Sequence, residues 1–276
     1  MKEYLKALEY CYKNGIDIES RAGKVRKIFG NQMRFDLSNN FPIVTTKKMA
    51  WRSIVSELIW FLEGSGDERR LAEIHYGKDR NLITEKNTIW TQNANSDYWK
   101  PKSKFNGDLG KIYGVQWRNF NGVDQVSELI KGIKEDPHGR RHIINAWNVG
   151  ELNQMALPPC HVLVQFYVEN NRLSSQLYQR SCDMFLGVPF NISSYSLLTY
   201  IIAKECNLDL GEFIHTLGDY HIYHRHFDQV KEQLKRKIKK LPKLEFDKKN
   251  IFNYKVKDFE LKNYEFHPVI KGEMNV

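Results

Sequence analysis

The stretch Leu157–Val168, LPPCHVLVQFYV, places one cysteine on a turn stiffened by two prolines, directly before a predicted strand. The two-residue period of strands puts four apolar side chains on one face, namely Val162, Val164, Phe166 and Val168. A second strand, predicted over 173–181, carries Arg180 near its end, so a guanidinium is expected near the Cys160 thiol. Because the thiolate is the attacking species and nearby positive charge lowers the pKa of a thiol, this pairing predicts a cysteine nucleophile.

Apolar periodicity outside this unit predicts helices and strands in mixed order. The predicted helices cover 2–14, 51–62, 68–76, 191–206 and 223–238, and the further strands cover 25–37, 141–147 and 212–221. The remainder of the chain is predicted to be rich in β structure, and 65–105 is a polar, variable excursion. Interspersed helices and adjacent strands favour an α+β fold, with helices packed on a large mixed β-sheet. No Pro/Gly/Ser-rich linker divides the chain, so we expect a single domain over 1–276.

Composition limits the chemistry that the chain can carry. A net charge of +9, from 42 basic and 33 acidic residues, suits a polyanionic partner such as a nucleotide, a nucleic acid or a polyglutamyl cofactor. The four cysteines fit no zinc-binding spacing, so we expect reduced thiols and no metal. The chain shows neither a signal-peptide core nor an apolar run near the roughly 20 residues of a membrane span, so we expect a cytoplasmic protein.

Polar groups that an ordinary core excludes gather in four segments, 160–161, 179–183, 190–195 and 218–223. Arg21, Arg140 and Arg141 add guanidinium groups, which bind phosphate in a bidentate manner. An Asn side chain offers both a donor and an acceptor, which matches the amide edge of a pyrimidine. Glu57 is the one acid in the apolar part of helix 51–62, and an unpaired buried carboxylate is costly, which favours a function. Together these groups favour a site for a phosphorylated heterocycle.

Long motifs along the chain are similar to those of the thymidylate synthase family. They are FPIVTTKK at 41–48, ELIWFL at 57–62, GDLG at 107–110, YGVQWR at 113–118, RR at 140–141, AWN at 146–148, LPPCH at 157–161, QLYQRSCD at 176–183, FLGVPFN at 185–191 and HP at 267–268. The resemblance extends nearly end to end and is weakest over 65–105. It implies the fold of that family and a homodimer that transfers one carbon from 5,10-methylenetetrahydrofolate to C5 of deoxyuridylate, giving thymidylate and dihydrofolate.

The resemblance also implies five catalytic residues. Cys160 would add to C6 of the pyrimidine, and Arg180 would activate the thiol and bind phosphate. Asn191 would read O4 and N3 of uracil. Glu57 would order the water that moves protons near O4 and the folate, and Tyr113 would lie beside the proton removed from C5.

The remaining implied residues bind the two substrates. Those assigned to the nucleotide, besides Arg180 and Asn191, are Arg21, Gln179, Ser181, His221, Tyr223, Arg140 and Arg141, the last two acting across the dimer. Those assigned to the folate are Lys47 for its glutamate tail, Trp90, Asp183 for the pterin ring, and the C-terminal tail that ends at Val276. The tail would close over the site as a lid that excludes water.

Four features depart from the family's pattern. The usual Arg-Thr-Gly-Thr-Gly-Thr loop reads RAGKVR at 21–26, Thr91 stands where Asp usually follows the tryptophan, Tyr220 replaces a small residue, and Arg225 is unusual. Three of them lean toward phage pyrimidine hydroxymethylases of the same fold, which add water in place of hydride. A deoxyuridylate (or deoxycytidylate) hydroxymethyltransferase is therefore the alternative hypothesis, although Asn191 is the uracil-type residue. The net charge leaves a nucleic-acid-binding protein as a remote alternative, without a recognisable motif to support it.

Overall fold

A six-stranded mixed sheet organises the computed structural model, which describes residues 1–20 and 22–274. Its strands are β1 (Ile16–Ser20), β2 (Gly23–Asp36), β3 (Ile143–Asn145), β4 (His161–Glu169), β5 (Arg172–Asp183) and β6 (Asp209–Tyr223). The spatial order is β1-β2-β6-β5-β4-β3, and all neighbouring pairs are antiparallel except β5 and β6, which run parallel. The predicted α+β class with a large mixed sheet is confirmed.

Eight α-helices in the described residues pack on and around this sheet. They are α1 (Lys2–Asn14), α2 (Trp51–Leu62), α3 (Glu68–Tyr76), α4 (Thr91–Ala94), α5 (Tyr113–Arg118), α6 (Gln125–Glu135), α7 (Gly187–Glu205) and α8 (Phe227–Lys235). The predictions at 2–14, 51–62 and 68–76 match α1, α2 and α3. Within the described part of the chain, no helix has the length and apolar character needed to cross a membrane.

Several predicted boundaries differ from the structure. The helix predicted from 191 begins at Gly187, because Pro189 lies in its first turn, where a missing N–H costs no helical hydrogen bond. The helix predicted over 223–238 begins as a 3-10 turn at 224–226 and ends at Lys235. The strand predicted at 141–147 shortens to β3. β1 and α6 have no counterpart in the sequence prediction.

The prediction of β-rich structure after 238 is wrong. Among the described residues there, only β7 (Lys243–Glu245) and β8 (Glu260–Lys262) pair, and two 3-10 turns lie between them. Tyr254 and Phe259 are buried and contact the ring of Phe246, with centroids 5.8 and 5.1 Å away. Aromatic contacts, rather than a strand ladder, therefore anchor this segment.

One residue of the strand that follows Cys160 does not join the core. The other three apolar residues of its face are buried as predicted, but Val162 is only half-buried. The pairing of β4 with β5 shifts register between His161 and Leu163, and such an irregularity re-aims the side chains of a strand. The regular ladder therefore ends beside the candidate nucleophile.

Two buried helices bring polar groups into the interior. α7 is buried on nearly every side, as expected of a helix that is apolar all round, and it contacts both the sheet and α2. α2 is buried from Ile54 to Leu62, and that run includes Glu57, which is 8 % exposed. Asn191, 7 % exposed, lies in the N-terminal part of α7. A carboxyl and an amide group thus lie within a largely apolar interior.

Candidate active site

Hydrogen bonds to the backbone hold the turn that carries Cys160. Arg180 donates from Nε to the Pro159 carbonyl at 2.8 Å and from Nη2 to the Pro158 carbonyl at 2.9 Å. The Arg180 amide donates to the Cys160 carbonyl at 2.9 Å, and the Cys160 amide donates to the Tyr113 hydroxyl at 2.8 Å. Two residues predicted as catalytic, Arg180 and Tyr113, therefore fix the position of the third.

Burial and charge act in opposite directions on the Cys160 thiol, which is unpaired. Burial is the largest influence and raises its pKa, whereas the charge of Arg180 and hydrogen bonds with Tyr113 and Ser181 lower it, and the net pKa is raised. The expected influence of Arg180 is present, but the predicted net lowering is wrong because burial outweighs it. The thiol therefore needs a proton acceptor when the sulfur attacks.

Glu57, Trp90 and Tyr113 form one contiguous group. Trp90 is 6 % exposed and donates from its indole Nε1 to Glu57 Oε1 at 2.8 Å. The Trp90 ring meets Tyr113 edge-on, with centroids 5.7 Å apart. Burial raises the pKa of Glu57 to about 7, against the lowering influence of the Trp90 hydrogen bond. A carboxyl group with such a pKa can accept and return a proton at neutral pH.

Asn191 presents an acceptor that has no partner in the described structure. Its Oδ1 is buried and makes no hydrogen bond there, and the same holds for Nδ1 of His161. Burial lowers the pKa of His161 to about 4, and the nearby Asn191 side chain opposes this shift, so the imidazole is neutral at neutral pH. Because an unsatisfied buried acceptor is costly, Asn191 is suited to receive an N–H group from a ligand.

Gln179 has both ends of its side-chain amide engaged inside the protein. Its Nε2 donates to the Ser181 carbonyl at 3.0 Å, and its Oε1 accepts from Nε2 of His215 at 2.8 Å. Burial lowers the pKa of His215 to about 3, so this ring also stays neutral. The sequence analysis missed His215, although its alternation with the buried Phe213 and Leu217 along β6 indicates that it faces inward.

His221 and Tyr223 lie together at the end of β6, with ring centroids 5.3 Å apart and ring planes at 87°. His221 Nδ1 hydrogen-bonds with Asp219 Oδ1 at 3.1 Å, and Asp219 also accepts from Lys27 Nζ at 2.6 Å. The carboxylate thereby orients the imidazole. Tyr220 faces the opposite side of the sheet and is 1 % exposed, so this departure from the family's pattern concerns core packing.

The altered segment after β1 carries two added basic residues, Lys24 and Arg26, which both belong to β2 but lie in different surroundings. Arg26 donates to both carboxylate oxygens of Asp17, at 2.7 and 3.0 Å, and to the Tyr12 carbonyl at 2.8 Å. Hydrogen bonds from Arg26 hold the pKa of Asp17 well below its usual range. Arg26 is therefore engaged in the fold, whereas Lys24 is exposed. Arg21, predicted to bind phosphate, lies outside the described residues.

Two residues assigned to the folate contact the start of α7. Lys47 is 5 % exposed, donates to the Phe185 carbonyl, and has Nζ 3.7 Å from the centroid of that ring. Burial lowers the pKa of Lys47 to about 7, with Asp183 opposing the shift. Asp183 Oδ1 accepts from the amides of Phe185 and Leu186 at 2.9 and 3.1 Å, so it also caps this turn. Both assignments to the folate stay predictions, and the burial of Lys47 disfavours contact with an exposed glutamate tail.

The described end of the C-terminal tail, residues 272–274, lies at the rim of the site. The Glu273 carbonyl accepts a hydrogen bond from Nε2 of His226 at 2.9 Å. A cavity of about 490 Å³ separates this end of the tail from the segment 87–92. Val276, assigned to the lid, lies outside the described residues.

The fold places a backbone-fixed cysteine and a buried carboxyl group of raised pKa on either side of Tyr113 and Trp90, an arrangement that suits an enzyme with a cysteine nucleophile and a carboxyl group for proton transfer. The cysteine is positioned through its backbone, and the unpartnered amide oxygen nearby suits the edge of a heterocycle.

Comparison with known proteins identifies the family. A family model described as thymidylate synthase matches residues 2–276. A protein of Malacoplasma penetrans (strain HF-2), named thymidylate synthase, is 47 % identical over 295 aligned positions, which cover 100 % of each chain. The chain therefore belongs to the thymidylate synthase family, whose members are methyltransferases that act on deoxyuridylate. The resemblance read from the sequence motifs is confirmed.

Proposed function

We propose that the chain methylates deoxyuridylate at C5, with 5,10-methylenetetrahydrofolate as cosubstrate and thymidylate and dihydrofolate as products. The observation that carries the proposal is the unpartnered Asn191 Oδ1 beside His161, which directly follows the backbone-fixed Cys160. A free acceptor and a donor on one rigid amide match N3–H and O4 of uracil.

Cys160 begins the reaction by adding its Sγ to C6 of the ring, the thiol proton passes to water, and C5 becomes a nucleophile. Asn191 accepts N3–H at Oδ1 and donates from Nδ2 to O4, where negative charge develops as the sulfur adds. The folate supplies the one-carbon unit and the hydride. Departure of Cys160 at the end restores the ring and the free thiol.

Glu57 and Tyr113 serve the proton transfers. The raised pKa of Glu57, about 7, suits it to exchange protons with water or O4 at neutral pH. Burial raises the pKa of Tyr113 far above its ordinary value, so Tyr113 acts as a neutral phenol beside C5. Arg180 uses Nε and Nη2 to hold the turn, and its other N–H groups remain for the phosphate, next to Ser181.

In this proposal the folate lies between the segment 87–92, which carries Trp90, and the C-terminal tail. The cavity between 87–92 and 273–274 supports this placement, as does the buried Trp90 ring beside Tyr113. Asp183, the last residue of β5, would contact the pterin. Closure of the tail would remove water from the reacting groups.

A homodimer completes the phosphate site in this proposal. Arg140 and Arg141 are exposed in the turn before β3, where a second subunit can use them. One face of the sheet is also exposed, at Gln32, Tyr167 and Gln176, and is available to a second copy.

Mixed dimers test the shared site. A Cys160→Ala chain paired with an Arg140→Ala chain gives one site with an intact thiol and an intact partner arginine, so activity should reappear when the two inactive proteins are mixed and refolded. Absence of recovery would count against sharing, and analytical ultracentrifugation would check that mixed dimers had formed.

Thr91 and the altered 21–26 loop favour one alternative product, because they could allow water to replace hydride. Purified protein with deoxyuridylate and methylenetetrahydrofolate separates the two reactions. Thymidylate with dihydrofolate supports the proposal, whereas hydroxymethyldeoxyuridylate with tetrahydrofolate refutes it in favour of the hydroxymethyltransferase. Mass spectrometry identifies the nucleotide, and absorbance identifies the folate.

A further inference from the structure

A buried ion pair joins the start of α3 to the loop that carries Trp90. Glu68 is 1 % exposed, and Arg69 donates to its two carboxylate oxygens from Nε at 2.5 Å and Nη2 at 2.6 Å. Two hydroxyl groups also donate to Glu68 Oε1, that of Thr88 at 2.6 Å and that of Thr91 at 2.7 Å. We call Glu68, Arg69, Thr88 and Thr91 the Glu68 cluster.

The two threonines flank Trp90 and bond to its own loop. Thr88 Oγ1 accepts from the Trp90 amide at 3.1 Å, and Thr91 Oγ1 accepts from the Thr88 amide at 2.8 Å. The Trp90 indole then donates to Glu57 at 2.8 Å. A continuous series of hydrogen bonds and covalent bonds therefore links Glu68 to the carboxyl group that handles protons.

The charge of Glu68 matters to this arrangement. Burial acts to raise its pKa, but the hydrogen bonds from Arg69, Thr88 and Thr91 together outweigh burial, and the net pKa is lowered. Glu68 is therefore an ionised acceptor at neutral pH. Because each threonine hydroxyl donates its one proton to Glu68, its lone pairs are directed to the backbone N–H groups of the loop.

We propose that Glu68 is a positioning residue for methyl transfer, which holds the Trp90 loop so that the indole N–H stays on Glu57 and the ring stays against Tyr113. The inference rests on the proposed function, because the group that Glu68 serves is the proton-handling Glu57. Glu68 acts through Trp90. Thr88 and Thr91 also line the cavity under the tail.

Thr91→Val is the central test, because it removes one hydroxyl and leaves the Glu68–Arg69 ion pair intact. We expect kcat to fall about tenfold while KM for deoxyuridylate stays within about twofold, since the lost hydrogen bond supports a catalytic geometry rather than nucleotide binding. The plot of kcat against pH should contain a rise or fall that reports the titration of Glu57, which we call the pH limb. In Thr91→Val this limb should move to higher pH, because the hydrogen bond from the indole that lowers the pKa of Glu57 is weakened. Thr91→Ser keeps the hydroxyl and should restore both quantities.

Two further variants separate positioning from general destabilisation. Glu68→Gln acts from the buried side of the cluster, away from the cavity, and should change kcat and the pH limb in the same direction as Thr91→Val. Glu63→Gln is the matched control, because it breaks the exposed ion pair at 2.8 Å between Glu63, which follows α2, and Arg70 of α3, the helix that also carries Glu68. It should leave both quantities as in the wild type.

A spectroscopic measurement needs no turnover. The indole ¹⁵N–¹H resonance of Trp90, identified by its loss in Trp90→Phe, should follow the titration of Glu57 in the ligand-free wild type. In Thr91→Val this response should be lost or reduced.

The inference is overturned if Thr91→Val and Glu68→Gln unfold at lower temperature but retain the wild-type resonance, kcat and pH limb. Glu68 would then support the fold alone. A wild-type protein that forms no thymidylate would instead refute the proposed function, and the Trp90 resonance would still decide whether Glu68 positions the indole.

Discussion

The two walls of the site hold their functional groups in different ways. The strand wall, formed by β4, β5 and β6, holds Cys160 through bonds to backbone carbonyls and to its backbone amide. The helix wall, formed by α2, α3 and the segment 87–92, holds Glu57 and Trp90 through bonds between side chains. A bond to a backbone atom survives a change of that residue's side chain, whereas a bond between two side chains requires both. The hold on the turn of the strand wall therefore tolerates a change of the Cys160 side chain, whereas the helix wall depends on both members of each side-chain pair.

Loss of the thiol should have the largest effect and tests the strand wall alone. Cys160→Ala should lower kcat by about 10⁴-fold or more, because no neighbouring group can form the bond to C6. The turn is held through its backbone, so the temperature of unfolding should stay near that of the wild type. Cys206→Ala is the control and should retain activity. Turnover by Cys160→Ala would show that Cys160 is not the nucleophile.

Glu57→Gln tests whether Glu57 transfers protons or only holds the Trp90 indole in place. Glutamine still accepts from the Trp90 indole, so the wall should stay in place while kcat falls by about 10²- to 10³-fold. Because burial raises the pKa of Glu57 to about 7, the wild-type rate should change as pH passes through 7, and this limb should be absent from the variant. A limb that persists near pH 7 would assign the titration to another group. Glu63→Gln, at the exposed end of α2, should leave the profile unchanged.

Asn191→Asp tests the α7 residue that lies between the two walls. A protonated acid can donate to N3 of cytosine, where the Asn191 oxygen can only accept, so the ratio of kcat/KM for deoxycytidylate to that for deoxyuridylate should rise by about 10²-fold. Competition assays with both nucleotides measure this ratio. An unchanged base preference would mean that another group reads the pyrimidine.

The contribution of one buried histidine of the strand wall to acid stability should be the smallest effect when it is counted per pH unit. Burial lowers the pKa of His161 to about 4 and that of His215 to about 3, so the unfolded chain binds their protons first as pH falls below about 6.5. Stability is therefore complete above that pH and decreases by about 1.4 kcal/mol per pH unit for each proton, from about pH 6.5 down to about 4 for His161 and down to about 3 for His215.

His215→Gln should reduce the change of unfolding free energy with pH by the contribution of one proton. Urea unfolding followed by circular dichroism from pH 4 to 8 measures this change. His138→Gln, at an exposed position, should keep the wild-type slope. A slope that is equal in all three proteins would show that acid sensitivity arises elsewhere.

Prediction from the sequence succeeded where local pattern and tertiary packing agree. α1, α2 and α3 each have an apolar stripe or an apolar run of helical length, and their predicted limits match. It failed after 238, where aromatic side chains contact one another without forming a long strand pair. The predicted burial of Val162 was also wrong, because the pairing of β4 with β5 shifts register there and the two-residue period cannot anticipate such a shift.

Short motifs in the sequence identify the family and predict the nucleophile, its arginine and the uracil-type amide, because each lies in a short stretch whose residue types carry the chemistry. How these groups are held, and in which protonation state, follows from the packing of the chain. Glu68 meets Thr91 across 23 positions of the chain and Gln179 meets His215 across 36. The net direction of the Cys160 pKa depends on burial as well as on Arg180. Burial and long-range hydrogen bonds are properties of the packed chain, so neighbouring residues in the sequence do not reveal them.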